Sequence, residues 1–204
     1  MSLRYAVLAL LAVEPMTGYD LQKQFGTSVG NVWHAPDSQI YPELRKMERD
    51  GLLEGEEVPW GSRGKKRLYH ITDDGRSALE QWMNEPAEYA RVRDPAYLKA
   101  AYLEYATPEA ARRHFTAHIE HHSRLLSQFE QQLHEIDERS SIMLNKRLAG
   151  ADPDKRHQVQ AFKRFAYEGL TLRAQQEISW ASRGLRLLDR LYPGADPAGE
   201  TTSA

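Results

Sequence analysis

Proline and glycine cut the first 85 residues of this chain into short segments, helical in period except for one stretch of strand-like alternation. From Ser2 to Val13, Leu3, Val7, Leu10 and Leu11 recur at helical spacing, and Pro15 ends the helix because its ring cannot continue one. Met16-Thr17-Gly18 reads as a short turn, and Tyr19, Leu21, Lys23 and Phe25 as a second helix whose end Gly26 and Gly30 blur. Pro36-Asp37-Ser38 resets the chain, with Ser38 placed to cap a third helix that runs to Asp50 and closes at Gly51. Ile40, Leu44 and Met47 form its inward stripe, while Gln39, Glu43, Lys46 and Asp50, flanked by Arg45 and Arg49, offer polar groups to something outside the core. Pro42 removes a backbone bond and biases Tyr41 away from helix, so the first turn is the weak part of this element.

Leu52 to Trp60 mixes apolar and acidic residues, Gly61 to Lys66 is a polar, basic turn, and Arg67 to Thr72 alternates like a strand, which predicts a two-stranded hairpin. Thr72 caps a fourth helix carrying Ala78, Leu79 and Trp82, broken at Asn84-Glu85-Pro86. Three helices, a hairpin and a closing helix make a winged helix-turn-helix over residues 1–85. Asp94-Pro95 and Thr107-Pro108 then start two further helices, proline at the first helical position being pre-set for one. Phe115, Ile119, His122, Leu126, Phe129, Leu133 and Ile136 follow as a heptad seam, and after Gly150 to Pro153 a last helix starts near Asp154 and runs to Leu191. The expected fold is mainly α with a small β-hairpin: the winged module, a helical, coiled-coil-like dimerisation domain over 86–192, and a disordered tail over 193–204 rich in Gly, Pro, Thr and Ala.

Composition narrows the function. The chain has no cysteine, which removes disulfides, thiolate metal sites and cysteine nucleophiles. The apolar run Tyr5 to Val13 has only Arg4 before it and no cleavage pattern after it, and it is far shorter than the ~20 residues of a membrane span. A cytoplasmic protein without membrane contact is expected. A net charge of −2 and a pI near 6.5 argue against indiscriminate coating of nucleic acid, so any DNA contact must be local. The positive residues that cluster are Arg63, Lys65, Lys66 and Arg67.

Leu3-Arg4-Tyr5-Ala6-Val7-Leu8, Gly18-Tyr19-Asp20-Leu21, Ser38-Gln39-Ile40-Tyr41-Pro42-Glu43-Leu44 with Gly51, and Tyr69-His70-Ile71-Thr72 with Gly75 stand in order, and together they resemble the PadR family of regulators. Trp33 with Ala35, and Asp94 to Tyr102 with Leu98-Lys99-Ala100, look like the branch that senses phenolic acids. The resemblance is dense as far as Tyr105 and thinner beyond. It implies that the third helix enters the major groove and that the hairpin is the wing. Gln39 then meets a base edge, Ser38 and Tyr41 donate to phosphate or base, Arg45 or Lys46 anchors the backbone, and Arg63, Lys65 and Lys66 hold phosphates. Tyr19 touches phosphate at the start of the second helix, or is a packed aromatic. Two plainer readings stand beside these: Ser38 as a cap only, and the basic turn as a solvated loop. Glu54, Glu56 and Glu57 are expected to face away from DNA.

One winged domain reads few base pairs, so a palindromic double-stranded operator and a homodimer are expected, with Trp180, Leu187, Leu188 and Leu191 as dimer residues. The heptad seam serves either that dimer or packing inside the subunit. An effector is expected between the two domains, walled by Trp33, Tyr97, Tyr102 and Trp180, each of which also reads as plain core. His114, His118, His121 and His122 have spacings that can bind zinc or nickel, but no carboxylate partner is visible beside them, and they are read as solvated or seam residues. No catalytic residue, metal or cofactor is assigned, because no phosphate loop, nucleophile elbow or zinc-hydrolase motif is present. The leading reading is a sequence-specific DNA-binding transcriptional regulator, a repressor released by a small aromatic effector such as a phenolic acid. The alternative is a helical interaction protein whose winged domain no longer binds DNA.

Overall fold

Ser2–Leu11 forms the first helix (α1) of the computed structural model, which describes residues 2–26, 30, 32–33, 36–61, 64–89 and 93–193. Arg63 and the tail from residue 194 onward lie outside the described residues. The chain divides into two units, one of Met1–Tyr89 with Ile142–Arg156 and one of Ala90–Ser141 with His157–Ala204.

In the first unit, Met16–Thr17 is a short strand (β1), not the turn expected from its sequence. It pairs antiparallel with the far strand of the hairpin, Met16 opposite Tyr69 and Thr17 opposite Leu68. Thr17 then caps Gly18–Phe25 (α2): its hydroxyl accepts from the Asp20 backbone N–H, and its own N–H donates to the Asp20 carboxylate at 3.0 Å. That reciprocal pair satisfies two helix-end donors at once. Burial at Thr17 leaves no water to replace them.

Asp37–Arg49 (α3) begins two residues earlier than a Ser38 cap would place it, and this corrects the reading of Ser38 as its cap. Pro36 stands at the cap position, supplies no side-chain acceptor, and takes the Gln39 N–H on its carbonyl at 2.9 Å. Ser38 is inside the helix and exposed. The first turn also holds despite Pro42, because the bond that proline forgoes belongs to the Ser38 carbonyl on the solvent side. Ile40, Leu44 and Met47 are fully buried against Val7, Leu8, Leu21 and Leu53. Gly51, at φ +76°, turns the chain out of α3, and the Leu52 N–H closes the helix end on the Met47 carbonyl.

Leu53–Trp60 (β2) and Gly64–Ile71 (β3) make the hairpin, so the sheet has three strands in the order β1-β3-β2. Thr72 caps Asp73–Asn84 (α4) through the Gly75 N–H, as expected, and Trp82 of α4 stacks on Tyr5 with ring centroids 4.6 Å apart. Ile142–Gly150 (α7) returns to this unit from late in the chain: Met143 packs on the core and Lys146 pairs with Glu14 at 2.8 Å.

The second unit is helical. Pro95–Ala100 (α5) and Pro108–Asp137 (α6) start on the Asp94 and Thr107 caps, and Arg156–Leu191 (α8) follows a 3-10 turn at Pro153–Lys155. Phe115, Phe129 and Ile136 of the seam are buried within the unit, as are Tyr167, Ala174, Ala181 and Leu188 of α8.

Thr17→Ala is expected to destabilise the protein by about 1 kcal/mol in urea unfolding at neutral pH, the usual cost of a lost cap. The Thr17 hydroxyl holds the Asp20 carboxyl below its ordinary value against the opposing effect of burial. A lowered carboxyl pKa adds stability above its unfolded value and loses it as pH falls through the folded one. The gap between wild type and Asp20→Asn should therefore close on acidification below the ordinary aspartate range.

Candidate nucleic-acid interface

The outer face of α3 is made by exposed Ser38, Gln39, Tyr41, Arg45 and Lys46, alternating with the buried stripe at helical period. Three acidic side chains on the same helix are each taken by an arginine from elsewhere in the unit. Arg4 of α1 donates to Glu43 at 3.1 Å and to Asp50 at 2.7 Å. Arg67 of β3 donates to Glu48, whose Oε1 also accepts the Gly55 N–H of β2 at 3.0 Å. These bonds fix α3 to its neighbours on both sides and neutralise Glu43, Glu48 and Asp50, while Arg45 and Lys46 stand exposed.

Tyr41 lies over the start of α2. A Cβ at Gly18 would fall 2.4 Å from the Tyr41 Cε1, so the absence of a side chain there is what lets the phenol ring settle. Tyr19, next to it, is 59% exposed and so is not the packed aromatic that one reading allowed.

The hairpin register sorts the basic turn. Glu57 faces Arg67, Val58 faces Lys66 and Pro59 faces Lys65, and successive residues of a strand point to opposite faces. Lys65 and Lys66 thus serve different faces of the ribbon. Lys65 binds Glu57 at 2.7 Å. Mutual attraction lowers the Glu57 carboxyl and raises the Lys65 ammonium. Lys66 sits 4.9 Å from the centre of the exposed Trp60 ring, a cation–π contact, and its charge helps hold Asp20 ionised. Trp60 is the wing residue that sequence reasoning passed over; its place at the hairpin tip, opposite Gly64, was the available signal.

Trp33, in the first unit, is 41% exposed. In the second unit, Tyr97 and Trp180 come together with ring centroids 4.4 Å apart, while Tyr102 is 58% exposed. Tyr97 donates to Glu177 Oε2 at 2.8 Å, and burial with that bond raises its pKa. The same carboxylate lies 3.1 Å from His118 Nε2. Of the expected dimer residues, Leu188 packs inward with Ala111, Phe115 and Ala181, and Trp180 lies against that cluster. Leu187 and Leu191 remain 45% and 60% exposed, and Phe162, Phe165 and Leu172 on the same helix are exposed too.

A three-helix core, a helix whose polar side is turned outward and a two-stranded ribbon carrying Lys65, Lys66 and Arg67 define a winged helix-turn-helix protein. Residues 7–81 match the model of the transcriptional regulator PadR-like family, and residues 92–189 match that of the virulence activator alpha C-terminal region. The chain thus carries a PadR-like transcriptional-regulator domain over residues 7–81. It is 26% identical over 190 residues to the negative transcriptional regulator PadR of Bacillus subtilis, covering 92% of this chain and 98% of that one. The crystal structure of Bacillus subtilis PadR in complex with operator DNA matches with a TM-score of 0.72 over 93% of this chain and 100% of the other, at 26% identity. The complex of the same protein with p-coumaric acid matches at 0.67, with 26% identity over 93% and 99% of the two chains. The Vibrio cholerae virulence activator AphA matches at 0.66, with 27% identity over 93% and 99%. Among the described residues, no helix is long and apolar enough to cross a membrane.

If Gly18 exists to seat Tyr41, the two positions are coupled. Gly18→Ala should cost about 1 kcal/mol in the wild type and nothing or less in a Tyr41→Ala background, where alanine's better helix propensity is all that remains. A double-mutant cycle in urea checks this.

Proposed function

We propose that this chain is a sequence-specific, DNA-binding repressor that works as a homodimer on a palindromic operator in the cytoplasm and is released by a small aromatic acid. The observation that carries the reading is the outer face of α3, where an amide, a phenol and two cations stand exposed while the neighbouring acids are held by Arg4 and Arg67. Gln39 reads a base edge, Tyr41 and Ser38 donate to base or phosphate, and Arg45 and Lys46 grip the backbone. Lys66, braced on Trp60, holds phosphate from the wing. Lys65 contributes less, because Glu57 already engages it. Tyr19 reaches phosphate beside the N-terminus of α2.

The first unit is the DNA-binding domain, and the second carries dimerisation and effector binding. At 100° per residue, the exposed Phe162, Phe165, Leu172, Leu187 and Leu191 fall within an arc of about 100° on α8, an apolar stripe in two parts with Gln176 and Arg183 between them. That stripe is the dimer surface; Leu188 and Trp180 support it from within. For the effector, Tyr97 and Trp180 supply an aromatic wall, and the complex of Bacillus subtilis PadR with p-coumaric acid supports an aromatic acid as the chemical class.

The test is selection of sheared host DNA on the purified protein at near-physiological salt, with and without p-coumaric acid. An enriched inverted repeat that the acid releases is expected; salt-sensitive retention of every sequence alike would leave an interaction protein with an idle winged domain. On the selected site, Gln39→Ala and Tyr41→Ala should each lose about tenfold or more in specific affinity, whereas Lys66→Ala should weaken all DNA and reduce the salt slope by about one.

Phe165→Glu combined with Leu172→Glu should yield a folded monomer in sedimentation analysis, because both side chains already face solvent within the subunit. Leu188→Glu should instead lose the fold of the second unit, since it buries a charge in the cluster around Phe115.

A further inference from the structure

The geometry points to a divalent transition-metal site inside the second unit, formed by His118 and His122 of α6 and Glu177 of α8. The two histidines are one helical turn apart on one face, the spacing at which a helix chelates a borderline cation. One ring nitrogen from each and one Glu177 oxygen all lie within 4.8 Å of one another. His118 Nε2 is already 3.1 Å from Glu177 Oε2, close to the roughly 3.3 Å edge that tetrahedral bonds of about 2.0–2.1 Å produce. The His118 and Glu177 side chains are only 9% and 12% exposed, so a cation there is shielded from most competing water.

The surroundings orient the ligands. Tyr97 donates to Glu177 Oε2 at 2.8 Å, the outer hydrogen bond that fixes a ligating carboxylate. Trp180 packs edge-on to the His118 ring at 5.2 Å, and the His118 and His122 rings lie 4.4 Å apart. Two imidazoles and one carboxylate suit Zn²⁺, Co²⁺ or Ni²⁺ in preference to Mg²⁺ or Ca²⁺, which take oxygen ligands throughout. Three protein ligands leave a fourth position for water. A bound ion clamps α6 to α8 and, through Tyr97, steadies α5.

The experiment uses the full chain, stripped with EDTA and desalted, then titrated with Zn²⁺ against a chromogenic chelator and separately with Co²⁺. A single Zn²⁺ per chain, a rise in Tm on adding it, and the visible bands of tetrahedral Co²⁺ are expected. His122→Gln and Glu177→Gln should weaken Zn²⁺ at least about tenfold, as should Tyr97→Phe, which removes no ligand, while His121→Ala, an exposed neighbour, should leave it unchanged. Melting in EDTA shows that each variant is folded before its affinity is compared. Failure of the wild type to compete with the chelator overturns the site and leaves His118 and Glu177 as a hydrogen-bonded pair. Equal loss in His121→Ala and His122→Gln also overturns it, by assigning the ion to the helix surface.

Discussion

Arg4 and Arg67 claim the acidic side chains of α3, and the outward character of the first unit depends on that. Asp37, Glu43, Glu48 and the C-cap Asp50 set four carboxylates against Arg45, Lys46 and Arg49, so without partners this helix would not be positive. Partly exposed ion pairs contribute only about 0–1 kcal/mol each to stability, which is too little to explain the arrangement as a stabilising device. Its effect is positional: Arg4 ties α3 to α1 and Arg67 ties it to β3, while Glu48 also takes a backbone N–H from β2. The helix that faces outward is thereby referenced to every element around it, and a shift of the wing is felt by α3.

The same economy explains how a chain with net charge −2 can present a basic face. The acids are present but locally satisfied, by Arg67 at Glu48 and by Lys65 at Glu57. The cation–π contact at Lys66 holds its ammonium without neutralising it, since a ring quadrupole carries no charge. The distinction between two adjacent lysines comes from strand alternation alone, one sharing a face with Glu57 and the other with Trp60.

What was legible in the sequence was local. The caps at Thr72, Asp94 and Thr107 act on backbone groups two or three residues away, and the Ile40, Leu44 and Met47 stripe is a single-helix pattern, so both could be read directly. Ser38 misled because serine is a strong cap, whereas Pro36 took the position through its own extended backbone. Strand β1 could not be read, since two residues have no period and their partners, Leu68 and Tyr69, are distant in sequence. The return of Ile142–Gly150 to the first unit has the same cause. So has the histidine cluster: the spacing on α6 was visible, but the carboxylate that completes it sits 59 residues away on another helix.

The heptad seam left packing within the subunit and pairing between subunits both open, and α8 separates them by angle. Tyr167, Ala174, Ala181 and Leu188 recur every seven residues and are nearly inaccessible, as a seam already occupied inside the unit must be. The exposed stripe of Phe162, Phe165, Leu172, Leu187 and Leu191 centres about 140° around the helix from it. Single exposed apolar residues need no explanation, but five large ones sharing one side of a 36-residue helix, Phe162, Phe165 and Leu172 towards its start and Leu187 and Leu191 at its end, are of the kind that mark an interaction site. One side of α8 thus completes the subunit's own core, and the other leaves apolar side chains exposed, which is what the proposed pairing with a second copy requires.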